Sequence, residues 1–159
     1  MVIRGRPISK LNSRESTILG YILRFAEERA DLIDHQAMDV HIRRDWDIMQ
    51  GDSHFVTVGL SAIDPTIPAI SIYLNDVPFG IGIVPRKRGA FHAVRQGVSM
   101  PEEHEQSVET TIAWLDSFLR DWIEKRFVVA RTRRHGFCWE ESVVRGGRRI
   151  MTSRYLAFS

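Results

Sequence analysis

The sequence predicts an α+β fold: an antiparallel sheet of about 6–8 strands packed against two long helices, in the order α-β(5)-α-β(2-3). Three observations predict it. Two segments repeat apolar residues at helical spacing. The segments between and after them alternate apolar and polar residues. The alternating segments come in runs, whereas a parallel βαβ sheet would interleave them with helices.

Residues 1–11 read as a flexible basic arm, and residues 12–159 as a single α+β domain. Asn12 and Glu15 stand in the spacing of a capping box, in which two side chains satisfy helix-end donors reciprocally. Ile18, Leu19, Ile22, Phe25, Ala26 and Ile33 continue at helical spacing and place the helix end near Asp34-His35. Val40, Ile42, Trp46 and Ile48 then alternate with His41, Arg43, Asp45 and Asp47. Gln50-Gly51-Asp52 signals a turn, and Val56, Val58 and Leu60 alternate back. A one-residue slip in pairing would turn every side chain to the other face. The expected register therefore puts Trp46 opposite Val56 and Ile42 opposite Leu60.

A second hairpin follows. Ile70, Ile72 and Leu74 alternate, Asn75-Asp76-Val77-Pro78 turns, and Phe79, Ile81 and Ile83 return. Its other face carries Ser71, Gly80 and Gly82, with Tyr73 beside Gly80. Glycine inside a strand marks close approach by a backbone or a ligand. Phe91 and His92 extend the set. Ser99, Pro101 and Glu102 mark the start of the second helix, whose stripe is Val108, Ile112, Leu115, Phe118, Leu119 and Trp122. A last strand pair turns at Gly146-Gly147, a dipeptide suited to a two-residue turn. That register puts Val143 opposite Ile150 and Trp139 opposite Arg154.

Composition narrows the functional classes. The 43% apolar and 26% charged content belongs to a globular protein rather than a disordered one. A single cysteine, Cys138, excludes an intrachain disulfide scaffold and favours a reducing compartment, read here as the cytoplasm. No membrane span is expected, because Asn75, Asp76 and Pro78 break the longest apolar run. No cofactor and no metal site are predicted. The net charge is +2, yet it is unevenly distributed: residues 1–14, 85–98 and 126–159 are basic and the rest is acidic.

Arg4-Gly5-Arg6-Pro7 resembles the core of the AT-hook motif of chromatin proteins, in which arginines follow a narrow minor groove. The resemblance covers these four residues. It departs from the motif at Ile3, where proline is usual, and in its single copy. The favoured reading of the arm is a tether.

Three functional classes follow. The first is a non-catalytic interaction module, an adaptor, chaperone-like protein or assembly subunit that presents a sheet face or edge to a protein partner. Its expected contact residues are Tyr73, Gly80, Gly82 and His92. Four tryptophans and long hairpins in so small a chain also suggest a homodimer. The alternative is nucleic-acid binding through Arg4 and Arg6, the turn at Arg86, Lys87 and Arg88, and the hairpin with Arg145, Arg148 and Arg149. The third class is a small hydrolase-like enzyme using His41, Asp45 and Asp47, or His92.

Overall fold

The computed structural model describes residues 2–5, 11–44, 54–74, 79–84, 91–92, 97–100, 107–135 and 138–156. The architecture is α+β, with two helices and two sheets. The strands are β1 (Val2–Gly5), β2 (Asp39–Arg44), β3 (His54–Leu60), β4 (Ala69–Tyr73), β5 (Gly80–Val84), β6 (Phe91–His92), β7 (Gly97–Ser99), β8 (Phe127–His135), β9 (Cys138–Arg145) and β10 (Arg148–Leu156). Helix α1 spans Ser13–Glu27 and α2 spans Val108–Asp121, followed by a π-helical turn over Trp122–Arg126.

The main sheet runs β1-β2-β3-β4-β5-β7, and a smaller one runs β6-β10-β9-β8. The expected single antiparallel sheet is therefore divided. The main sheet is also mixed, because β1 lies parallel to β2. Val2–Gly5, read as part of a loose arm, form this strand. Between β5 and β7 the chain visits the smaller sheet, where β6 pairs with β10.

Helix α1 starts as its capping box requires. Asn12 Oδ1 accepts from the Glu15 N–H at 2.8 Å, and Glu15 Oε2 accepts from the Asn12 N–H at 2.8 Å. It ends at Glu27, short of the expected Asp34-His35. Beyond that point the backbone is claimed by the sheet: the Asp34 N–H donates to Ser61 O and the Ile63 N–H to Leu32 O, each at 2.8 Å. Ile33 bridges Ala62 and is buried there as a strand extension. The described start of α2 is also later than expected. Ser107 caps it, exchanging hydrogen bonds with Thr110, while Ser99 lies in β7.

One apolar cluster holds these elements. It joins Ile18, Ile22 and Phe25 of α1, Leu115, Phe118 and Leu119 of α2, and Val40, Ile42, Val56, Val58, Ile72 and Ile81 of the main sheet. Packing of both helices on one sheet face leaves the opposite face to His41, Thr57, Ser71 and Tyr73, which are half-buried.

The register of β2 and β3 keeps both apolar sets on one face, as burial demands, but is displaced from the expected one. Ile42 faces Val56, not Leu60. An even displacement conserves the buried face, so alternation alone does not fix it. Trp46 lies outside the described residues. The β4–β5 register is as expected, with Tyr73 opposite Gly80 and Ile72 opposite Ile81.

In the smaller sheet the turn at Gly146-Gly147 forms with φ of 54° and 79°, a left-handed pair that suits glycine. The register then breaks between Arg149 and Met151. Ile150 is the extra residue of a β-bulge, so Val143 faces Met151. Trp139 consequently faces Tyr155, and Arg154 faces Glu140. The expected Trp139–Arg154 pair does not form.

Candidate functional site

Register places six positions in one row across the outer face of the main sheet: Arg4, His41, Thr57, Tyr73, Gly80 and Ser99. The next row on that face is Val2, Asp39, Gly59, Ser71, Gly82 and Gly97. The face is polar at β2 and β3 and reduces to backbone at Gly80 and Gly82 of β5 and at Gly97 of β7.

The reason for one glycine is visible. A Cβ on Gly82 would stand 3.0 Å from Cε2 and 3.1 Å from Oη of Tyr73. The Tyr73 ring therefore lies across Gly82, an arrangement that shields a strand glycine with an aromatic neighbour. Gly80 and Gly82 are both buried. The close approach signalled by the strand glycine is made here by a side chain of the same hairpin. His92, the fourth expected contact residue, sits in β6 of the smaller sheet opposite Tyr155. The register does not join it to Tyr73 and Gly80.

The outer edge of the main sheet is β1. Among the described residues it pairs on one side only, with β2. The Val2 N–H donates to Met38 O at 2.9 Å. In a strand, successive backbone groups turn to opposite sides, so Ile3 and Gly5 direct their N–H and C=O groups to the open side. Val2 and Ile3 are 44% and 45% exposed, two of four exposed large apolar side chains among the described residues. This edge was missed in the sequence because a four-residue strand carrying arginine reads as an arm. The β-branched pair Val2-Ile3 was its only local signal.

No family model, curated protein or solved structure matches this chain.

The basic residues divide. Arg145 makes a salt bridge with Asp121 at the end of α2, and its guanidinium lies 5.7 Å from the Phe127 ring centroid. It ties β9 to the helix. Arg148 and Arg149 are exposed at the hairpin turn. Arg4 lies in β1, whereas Arg6, Arg86, Lys87 and Arg88 lie outside the described residues. Of the expected acid–base set, His41 faces Thr57, and Asp45 and Asp47 lie outside the described residues. Among the described residues no group of three His, Cys, Asp or Glu is placed to hold a metal. No helix among them is long and apolar enough to cross a membrane.

A polar cluster with shifted titration links the helices. Tyr21 Oη donates to Asp116 Oδ1, and Arg120 Nε donates to Asp116 Oδ2 at 2.7 Å. The Arg120 hydrogen bond holds the Asp116 carboxyl below its usual value, and the Tyr21 hydroxyl adds to this. Burial first, and then the bond to Asp116, raises the Tyr21 phenol. A lowered carboxyl stabilises the fold above its unfolded pKa and loses that effect as pH falls through the folded value. A raised phenol stabilises it below the unfolded value, about 10, and loses that effect as pH rises through the folded one.

Tyr21→Phe is therefore expected to cost about 1 kcal/mol at neutral pH, with the deficit shrinking above about pH 10. Asp116→Asn should flatten the acid limb of stability below about pH 4. Urea midpoints measured across pH check both; parallel curves for variant and parent would contradict them.

Proposed function

We propose that the chain is a non-catalytic interaction module that takes up an extended protein segment along the open edge of β1. The single observation that carries this reading is that edge, with outward backbone groups at Ile3 and Gly5 and exposed Val2 and Ile3 beside them. An added strand gains main-chain hydrogen bonds from the edge and side-chain selectivity from its neighbours. Natural edge strands are commonly blunted by charge, bulges or a covering loop. Here the strand begins with two β-branched apolar residues and no acid.

The edge is preferred to the face around Tyr73 because Gly80 and Gly82 are buried. Four residues of edge provide much less than the roughly 1,200–2,000 Å² of a stable interface. This favours a short, exchangeable segment over a tight complex. A homodimer joined through β1 would need further contacts elsewhere. The lone cysteine fits a reducing compartment such as the cytoplasm.

Ile3→Pro tests the reading. Proline removes the outward N–H, which β2 does not use, and such a proline is tolerated on an edge strand. Against extended peptides selected from a displayed library on the full chain, the variant is expected to bind about tenfold or more weakly, each 1.4 kcal/mol being tenfold. Its melting temperature should stay close to that of the parent. Undiminished peptide binding by a folded Ile3→Pro chain would overturn the proposal.

A further inference from the structure

Of the four exposed large apolar side chains among the described residues, two belong to the β1 edge. The other two, Leu32 at 44% and Ile63 at 56% exposure, are brought together by the fold. The bridge between Ile33 and Ala62 sets Leu32 opposite Ile63, and the Ile63 N–H donates to Leu32 O at 2.8 Å. Successive side chains along a strand point to opposite faces. Ile33 is buried and Ala62 packs on the core, so Leu32 and Ile63 stand side by side toward solvent.

Carboxylates flank the pair. Asp31 precedes Leu32, Asp34 stands two residues after it, and Asp64 follows Ile63. Asp31 is exposed, and Asp34 and Asp64 are half-buried. Turns fix the latter two: Asp34 Oδ1 accepts from the Gln36 N–H at 2.9 Å, and Asp64 Oδ1 from the Thr66 N–H at 2.8 Å. Residues 30–38 and 60–68 contain no lysine or arginine. Arg29, the nearest arginine in sequence, lies 4.0 Å from the Phe25 ring centroid and bonds to Glu28. Such a surface suits a long cation with an apolar stem.

The same chain exposes that element elsewhere. Gly146, Gly147, Arg148 and Arg149 are all exposed at the β9–β10 turn. No acid occurs from residue 142 to residue 159. Arg145 is held by Asp121, so Arg148 and Arg149 are the cations that the tip presents. Arginine lays its methylene stem on apolar surface while its guanidinium forks onto carboxylate.

We propose that the Leu32–Ile63 pair and its carboxylates receive the Arg148–Arg149 hairpin tip of a second copy of the chain. Charge complementarity between two exposed surfaces of one sequence selects this occupant. The two surfaces are different patches, so the contact is head-to-tail and not two-fold symmetric. A hairpin tip covers far less than a stable interface, so the association is weak and salt-sensitive. It does not depend on the β1 edge.

Sedimentation velocity on the full chain tests the contact. At about 50 mM salt the parent is expected to self-associate with a dissociation constant of about 0.1–1 mM, and to lose most of this at about 500 mM. Arg148→Glu with Arg149→Glu removes the tip, and Leu32→Ser with Ile63→Ser removes the receiving pair. Each double variant should self-associate about tenfold or more weakly while keeping the parental circular dichroism and melting temperature. Mixed together, the two variants should associate at near-parental affinity and stop at a one-to-one pair, because each supplies the half that the other lacks. Asp31→Lys, a milder change at the receiving surface, should weaken self-association of the parent and regain it with the glutamate tip.

Three results would overturn the proposal. One is a parent that stays monomeric up to about 1 mM at low salt. Another is folded double variants that self-associate like the parent, which would place the contact elsewhere. The third is folded double variants that fail to associate when mixed.

Discussion

Replacing Trp122 with alanine is expected to remove about 3–5 kcal/mol of folding stability, the range for deleting a large buried aromatic. Trp122 has no solvent exposure and lies in the π-helical turn that follows α2. Its ring belongs to the cluster that includes Phe118 and Phe127, whose own centroids are 4.9 Å apart. Its Nε1–H donates to Pro68 O at 2.7 Å in a buried setting. That bond joins the end of α2 to the entry of β4, elements 54 residues apart in sequence. Alanine would remove the packing and also leave the proline carbonyl without this donor. Trp122→Phe separates the two effects. It keeps most of the bulk and loses the donor, so it should cost about 1–3 kcal/mol. Equilibrium urea unfolding measures both. Equal losses for alanine and phenylalanine would mean that the hydrogen bond, and not the packing, dominates.

Gly82→Val is expected to cost about 1–3 kcal/mol, although valine is the better strand former. The added Cβ meets the Tyr73 ring at 3.0 Å, tighter than nine in ten real Cβ contacts, and the two γ-methyls crowd the same space. The ring must therefore give by a few tenths of an ångström to admit the Cβ, and further for the γ-methyls. The cost depends on Tyr73, which makes the prediction specific. In a Tyr73→Ala background the valine should be neutral or stabilising, so the double-mutant cycle should show coupling of about 1–3 kcal/mol. Additive effects would show that the ring does not rest on Gly82.

Local signals survived from sequence to structure where the stabilising contacts are themselves local. Asn12 and Glu15 satisfy each other within one turn, so the start of α1 was legible. The β4–β5 register was legible because both strands alternate strictly around a short connection. At β2–β3, alternation determined which face is buried, but it is blind to an even displacement, and Ile42 found Val56. The start of α2 was misplaced because Ser99 and Glu102 have the spacing of a capping box, whereas the cap that forms uses Thr110 in the place usually held by Glu or Gln.

Distant and irregular strand pairing was the least legible. Strand β1 exists through parallel pairing with residues far along the chain, which no local pattern announces. The bulge at Ile150 is equally silent, because Ile150 and Met151 read as a continuous apolar strand. One extra residue there changes the partner of Trp139 from Arg154 to Tyr155. The glycines of β5 were the opposite case: a clear signal whose cause, at Gly82, is the Tyr73 ring.

The open edge is tested most directly at the backbone amides of β1. In the free chain, the Ile3 and Gly5 amides should exchange with solvent faster than the Arg4 amide, which turns toward β2. On saturation with a selected extended peptide, Ile3 and Gly5 should become protected by about tenfold or more while Arg4 changes little. Protection of Ile3 and Gly5 equal to that of Arg4 in the free chain, or no gain in protection on peptide binding, would contradict the account.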